Sequence, residues 1–308
     1  LKIIENIAEY LDAEGLTMSL GMFDGVHRGH QEIIKKLKKY TESEKLESAL
    51  LTFWPHPRVV LQADAELKLL NTLEEKLQLL EQFGIEKVFL QEFNEEFRNL
   101  SGEEFIQQIL LEKMKMKHII IGYDHHFGKN KSGNFELLKK MSLEYDFEVE
   151  QTEAVLENEI AISSTKIRNA LASGDIQTAN LFLGYSYPLS GKVVAGKQLG
   201  RTIGFPTANL EVASIKLLPK NGAYIVEVEV DHTLHKGMLS IMTNPTVGGT
   251  SQTVEVYLLD FNQDIYGKTI TVRFKDFLHE EIKFESIEKL IDQLKLDRQL
   301  TEQYFQNH

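Results

Sequence analysis

The helical period of this chain stops at Gly184, and that break constrains the fold more than any other feature. Upstream of it, short apolar runs alternate with helix-period segments. Strands are expected at Leu16–Met22, Ser48–Trp54, Lys87–Gln91, Lys117–Ile121 and Phe147–Thr152. Helices are expected at His30–Glu44, Leu73–Phe83, Gly102–Lys115, Asn134–Leu143 and Thr165–Ala172. Such alternation builds a parallel sheet with helices on its faces. Ile119-Ile120-Ile121 and Ala49-Leu50-Leu51 read as strands buried on both sides. Downstream of Gly184-Tyr185-Ser186-Tyr187-Pro188, runs at Ala223–Val230, Gly237–Met242, Thr253–Phe261 and Thr269–Phe277 follow one another between turn signals. Tyr224 to Val230 alternates with period 2, as a half-buried strand does. Several short strands with frequent turns predict an antiparallel barrel. The tail, Ser286–Tyr304, returns to helix, with Ile287, Leu290, Ile291 and Leu294 on one face. The expected fold is therefore α/β followed by a barrel and a terminal helix, divided into 1–184 and 185–308. A length of 308 residues suits two domains.

Charge and cysteine content narrow the chemistry. Acidic residues outnumber basic ones by 46 to 34, for a net charge of −12. Nucleic-acid binding by counterion release needs a clustered cationic surface and is not expected. The chain has no cysteine, which excludes thiolate metal sites and cysteine nucleophiles and suits the reducing cytoplasm expected here. The N-terminal stretch does not read as a signal peptide, and no apolar run is long enough to span a membrane. Small molecules are the expected partners; self-association is left open.

The first expected strand runs into Gly21-Met22-Phe23-Asp24-Gly25-Val26-His27-Arg28-Gly29-His30, which opens a helix. Its glycines allow close backbone approach to a ligand, and a helix N-terminus favours phosphate. His27 and His30, three residues apart, can address one phosphate and stabilise charge on it as it reacts. A zinc pair is the other option, but no third ligand of suitable spacing is evident. At Ser163-Ser164-Thr165-Lys166-Ile167-Arg168 the hydroxyls can cap a helix start beside an anion, with Arg168 in the first turn placed for a bidentate phosphate contact. Read alone, an ordinary capped helix is the better explanation of this segment. A third stretch, Gly191 to Leu210, carries Gly196, Lys197, Gly200 and Arg201 but no Walker A pattern. Its backbone is suited to cradling phosphates. Thr207 and Asn209, two apart on an extended segment, face one side with oxygens that suit Mg²⁺.

The loop sequence GMFDGVHRGHQ resembles the adenylyltransferase half of the bacterial bifunctional riboflavin kinase/FAD synthetases, within the HxGH nucleotidyltransferase superfamily. Thr52-Phe53-Trp54-Pro55-His56-Pro57-Arg58, Gly122-Tyr123-Asp124-His125-His126-Phe127-Gly128 and Ile162 to Arg168 are similar to three further segments of that family. Pro206-Thr207-Ala208-Asn209, Asn244-Pro245-Thr246 and Thr253-Val254-Glu255 resemble motifs of its kinase domain. The resemblance implies a Rossmann-like nucleotidyltransferase domain followed by a riboflavin kinase-like barrel. It implies ATP as co-substrate, Mg²⁺, and riboflavin, FMN and FAD as substrates and products. It further implies His27, His30 and Arg168 as catalytic in adenylyl transfer, and Glu255 as the kinase base. Nucleotide contacts would come from Gly21, Phe23, Asp24, Gly25, Ser163, Ser164, Thr165, Gly196, Lys197, Gly200 and Arg201. Flavin contacts would come from Pro55, His56, Pro57, Arg58, Asp124, Phe127 and Asn244, and metal contacts from Thr207 and Asn209.

The chain departs from the family pattern at Met242, where glycine is usual, and at His279, where arginine is common. Lys131 stands for arginine, and His125-His126 replace phenylalanine and its neighbour. An adenylyltransferase with an impaired kinase domain and a non-catalytic flavin-binding regulator are the alternative readings.

Overall fold

The computed structural model describes residues 1–10, 15–57, 67–157, 159–196, 199–246 and 249–308. They form two compact units, Leu1–Ser163 and Ser164–His308.

The first unit is built on a six-stranded, all-parallel sheet in the order β1-β4-β3-β2-β5-β6. Its strands are β1 (Lys2–Ile4), β2 (Leu16–Leu20), β3 (Glu47–Phe53), β4 (Lys87–Gln91), β5 (Met116–Ile121) and β6 (Glu148–Gln151). β2 is buried at every position, as expected of a strand covered on both faces. Successive residues of β3 serve opposite cores: Ala49 and Leu51 face one, Leu50 the other. α1 (Arg28–Glu44) and α2 (Leu73–Gln82) cover one face through Ile33, Ile34, Leu37 and Leu80. The helix α3 (Glu95–Asn99) follows β4. A short α4 (Gly102–Glu104) continues as a π-helix over Phe105–Lys113, and together with α5 (Phe135–Ser142) it covers the other face. The sequence reads Gly102–Lys115 as an α-helix. The wider winding leaves Phe105, Ile106, Ile109 and Leu110 on the buried side.

The strand order reverses between β2 and β5. The chain runs outward from β2 to β4, then returns to the other side of β2. In sheets of this kind ligands bind beyond the carboxyl ends of the strands at such a switch point, and the Gly21–His27 loop leaves β2 there.

The second unit opens with α6 (Ser164–Ser173) and α7 (Ile176–Leu183), the latter not anticipated from sequence. Asn180 ties α7 to the barrel: its amide donates to Phe274 O (2.9 Å) and accepts from Tyr187 N–H (2.8 Å). The barrel is closed and antiparallel, in the order β10-β13-β12-β11-β14-β9. Its strands are β9 (Pro188–Val194), β10 (Ala208–Val212), β11 (Gly222–Val230), β12 (Thr233–Thr246), β13 (Gly249–Leu258) and β14 (Thr269–His279). Its interior holds Tyr224, Val226, Val228, Val272 and Phe274 without solvent access. The sequence reads Gly191 to Leu210 as one flexible segment. It instead contains β9, the short α8 (Leu199–Thr202) and β10. Gly191 lies within β9, where a Cβ would fall 2.9 Å from Glu211 O, so this glycine serves strand approach rather than a turn. The terminal helix α9 (Ile287–Asn307) is capped by Ser286. Arg298 fastens it to the barrel through Tyr257 Oη (3.2 Å) and Asp260 (2.8 Å). A small hairpin, β7 (Leu156–Glu157) and β8 (Ile160–Ala161), belongs to the first unit and was not anticipated.

The first turn of α2 carries a capping box. The Thr72 hydroxyl accepts from Glu75 N–H (3.2 Å), and the Glu75 carboxylate accepts from Thr72 N–H (3.1 Å). Thr72→Ala is expected to destabilise the first unit by about 1 kcal/mol. Urea unfolding followed by the fluorescence of Trp54, the chain's only tryptophan, measures this.

Candidate functional site

The loop between β2 and α1 is held in an unfavourable backbone conformation. Phe23 (φ 49°) and Val26 (φ 34°) both have positive φ, as does Gly25 (φ 84°). For a β-branched residue such as Val26 this is strain, which persists only where the surroundings enforce it. The enforcement is visible. Val26 N–H donates to Phe23 O (3.1 Å), and the Gln31 amide donates to Val26 O (2.8 Å). Buried Asp24 accepts through Oδ1 from Leu70 N–H (2.9 Å) and Asn71 N–H (3.3 Å). Asp24, expected as a nucleotide contact, thus also anchors the loop to the segment leading into α2.

His27 is the N-cap of α1, but its side chain makes no capping bond. Its ring stacks on that of His30, with centroids 3.7 Å apart and planes at 18°. Phe23, fully buried, lies 5.0 Å from the His30 ring. Nδ1 of each histidine is buried without a hydrogen-bond partner. Desolvation pushes the His27 pKa down to about 4 and holds that of His30 well below its ordinary value, with the charges of His27, Lys76 and His125 adding to the effect. Both rings are therefore neutral at pH 7. Two buried, unpartnered nitrogens beside a helix N-terminus are hydrogen-bonding capacity of the kind that suits phosphate oxygens.

Beside this loop lies a cavity of about 440 Å³, walled by Phe53, Phe93, Phe97, Phe105 and Phe127. Neighbouring rings pack 5.3–5.5 Å apart, mostly edge to face: Phe53 on Phe93 and Phe97, Phe97 on Phe105, Phe105 on Phe127. Lys131, Arg98 and His126 bring polar groups to it. His125 also lines it; burial lowers its pKa to about 4. Such a site takes a flat aromatic ligand with polar edges. Among the expected flavin contacts, His56, Pro57 and Phe127 line this cavity. Pro55 and Asp124 are exposed beside these segments, and Arg58 lies outside the described residues. Phe93, Phe97 and Phe105 escaped the sequence reading, although three phenylalanines within thirteen residues were a usable signal.

Ser163 ends the first unit. Ser164 and Thr165 open α6, and Arg168 is its fifth residue, one position later than the first-turn placement read from sequence.

In the barrel, Asn209 of β10 stands directly opposite Glu255 of β13. Thr207 donates from Oγ1 to Glu255 Oε2 at 3.0 Å. The closed sheet thus gathers three residues separated by up to 48 positions. Gly196 packs against Asn209 so closely that a Cβ would lie 2.0 Å from its amide nitrogen. A side chain there would displace Asn209. A cavity of about 470 Å³ opens beside Thr207, lined also by Arg201, Pro206, Asp264 and Tyr266. Gly200 lies in α8. Lys197 and the side chain of Asn244 lie outside the described residues.

A family model of FAD synthetase matches residues 10–166, and one of riboflavin kinase matches residues 183–305. The bifunctional riboflavin kinase/FMN adenylyltransferase of Listeria monocytogenes is 39% identical over 290 residues, covering 94% of this chain and 92% of its own. That of Escherichia coli K12 is 35% identical, covering 99% and 98%. The chain belongs to the bifunctional riboflavin kinase/FMN adenylyltransferase family. A solved structure described as a macrolide-efflux protein from Streptococcus pneumoniae superposes with a TM-score of 0.91 at 34% identity, covering 97% of this chain and 98% of that one.

Two residues at which the chain departs from the family pattern have visible surroundings. Met242 lies in β12, half-buried, opposite Thr253. His279 ends β14 and links it to α9. Its Nε2 lies 3.0 and 3.1 Å from the two oxygens of buried Asp297, and its Nδ1 lies 2.8 Å from Glu280 O. Both ring nitrogens face acceptors, so the imidazolium is favoured. The hydrogen bond to Asp297 is the main cause of a raised pKa, against an opposing cost of burial. A group whose pKa is raised on folding stabilises the fold below its unfolded pKa and loses that contribution as pH rises through the folded value. The second unit is therefore expected to lose stability as pH rises from below 6.5 through the raised pKa. His279→Gln removes this dependence. Calorimetric melting of both proteins across pH 5.5–8.5 measures the difference.

Proposed function

We propose that this chain makes FAD from riboflavin in two ATP-dependent steps, one in each half. In the barrel, the riboflavin 5′-hydroxyl attacks the γ-phosphorus of ATP, giving FMN and ADP. Glu255 takes the hydroxyl proton. Phosphoryl transfer asks mainly for positioning and charge stabilisation, and the meeting of Thr207, Asn209 and Glu255 supports this reading. Their oxygen donors suit Mg²⁺, with Thr207 and Asn209 as the residues that would hold it. The ion supplies charge neutralisation on the phosphates. Arg201 and the cavity beside Thr207 are suited to the nucleotide.

In the first half, an FMN phosphate oxygen attacks the α-phosphorus of a second ATP. The bond to the β-phosphate oxygen breaks, giving FAD and pyrophosphate. No base is required, because the attacking phosphate is already ionised. Neutral His27 and His30 hydrogen-bond the α-phosphate as charge builds on it. Gly21, Phe23 and Gly25 shape the loop around the nucleotide. The phenylalanine-walled cavity takes the isoalloxazine ring. The roles of Ser164 and Thr165 on the pyrophosphate side, of Ser163 toward the nucleotide, and of Arg168 on the phosphate rest on their motif. The reading divides the labour at 184/185; the family models end at 166 and begin at 183, and the two compact units part between Ser163 and Ser164.

The observations that support the proposal are the two family-model matches, the stacking of His27 on His30 in the first unit, and the meeting of Thr207, Asn209 and Glu255 in the barrel. Among the described residues no helix is long and apolar enough to cross a membrane. The excess of acidic residues and the lack of cysteine favour small-molecule chemistry in the cytoplasm, without nucleic acid.

Chromatography of products from riboflavin or FMN, each with ATP and Mg²⁺, tests the whole reading. FAD is expected from both; FAD from FMN alone marks a silent kinase. His30→Ala is expected to lower FAD formation roughly 100-fold while FMN formation stays nearly unchanged. Glu255→Ala should do the reverse. Equal loss of both activities in either variant overturns the two-site assignment.

A further inference from the structure

Lys76 has no place in the motifs above, yet it is among the most unusual residues of the first unit. It lies on the sheet-facing side of α2 and is only 4% exposed. Its Nζ donates to Thr52 Oγ1 (3.1 Å) and, at longer range, to Met22 O (3.4 Å). It sits 5.5 Å from the centre of the Trp54 ring. One ammonium thus joins α2, the end of β3 and the loop that carries His27.

Among the described residues no carboxylate lies within ion-pair distance of Lys76. Asp24 is the nearby acid, and its carboxylate already accepts from the backbone of Leu70 and Asn71. The ammonium has three donors and meets two neutral oxygens, one of them distant. A buried cation so poorly compensated is costly, and a leucine or methionine in the same place would pack at no such cost. The charge is retained beside the loop that carries His27, near enough to His30 to lower its pKa.

We propose that Lys76 is a positioning residue for adenylyl transfer, holding the Met22–His27 loop against β3 and adding positive potential that draws the triphosphate of ATP into it. This rests on the functional reading above. The groups facing it are Asp24 from the loop, His30 from α1, and Thr52 and Trp54 from β3. Desolvation lowers its pKa to about 8, partly offset by Asp24. Burial lowers the pKa of His27 and His125 to about 4 and holds that of His30 well below its ordinary value, so none of them changes charge near pH 8.

The test is kcat/KM for ATP in FAD formation, measured from pH 6.5 to 9.5 on the full chain with saturating FMN and Mg²⁺. Riboflavin phosphorylation by the same protein serves as the internal control. The wild-type value is expected to fall above pH about 8 as Lys76 loses its proton, with no matching fall in the kinase reaction. A neutral amine still donates hydrogen bonds, so a strut without an electrostatic role gives no such fall. Lys76→Met should lower kcat/KM for ATP by roughly tenfold or more, chiefly through KM, and abolish the fall. Lys76→Gln, which retains a donor without the charge, should behave likewise; the urea midpoint read at Trp54 reports whether each variant folds. The proposal is overturned if the wild-type profile is flat, or if a folded variant keeps the wild-type kcat/KM. Absence of FAD formation by the wild type overturns the functional reading instead.

Discussion

The carboxylate of Asp24 holds the first site together. It is buried, and through one oxygen it accepts backbone N–H groups from both Leu70 and Asn71. That contact closes the loop after β2 onto the chain entering α2. Everything nearby depends on it: the positive φ angles of Phe23 and Val26, the stacking of His27 on His30, and the approach of Lys76 to Met22 O. An unfavourable loop conformation persists only when several interactions specify it together. Here the sheet supplies the starting point at its switch position, and Asp24 supplies the closure.

The barrel solves a similar problem by register instead of by a buried charge. No local sequence rule brings Thr207 to Glu255. Antiparallel pairing of β10 with β13 does so, by setting Asn209 across from Glu255 and leaving Thr207 just beyond the pairing, within hydrogen-bonding reach. The closeness of Gly196 to Asn209 then limits where the amide can sit. A site made this way is as rigid as the strands that carry it, which suits a transfer that depends mainly on alignment.

Much of this was legible in the sequence because its signals were periodic or punctuated. Continuous apolar runs mark β2, β3 and β5, period 2 marks β11, and the loss of helical period marks the change of architecture. The histidine loop and the Pro206–Asn209 segment were legible as motifs. Three kinds of feature were not. Gly191 reads as flexibility because a glycine's tolerance of close strand approach leaves no local trace. Phe93, Phe97 and Phe105 went unread, since the wall of an aromatic cavity and the interior of a domain share one composition. Lys76 carries no signal in the sequence, because its burial follows from what α2 packs against and not from its neighbours in sequence. His279 belongs with these: its partner Asp297 lies eighteen residues away on another element.

The electrostatics of the first site follow from its dryness. A chain of net charge −12 that handles polyphosphates must concentrate positive potential locally. Imidazolium rings are the obvious source, but in the free protein burial holds both histidines well below their ordinary pKa. On the proposed reading, positive potential within the first unit therefore comes from groups that need no protonation at the moment of binding, the N-terminal dipole of α1 and the ammonium of Lys76 among them. These act across a poorly solvated space, where a fixed charge reaches further than it does in water. The same desolvation that makes Lys76 costly to the fold is what makes it effective toward a phosphate. Its hydrogen bonds to Met22 O and Thr52 keep that charge beside the loop before any substrate arrives.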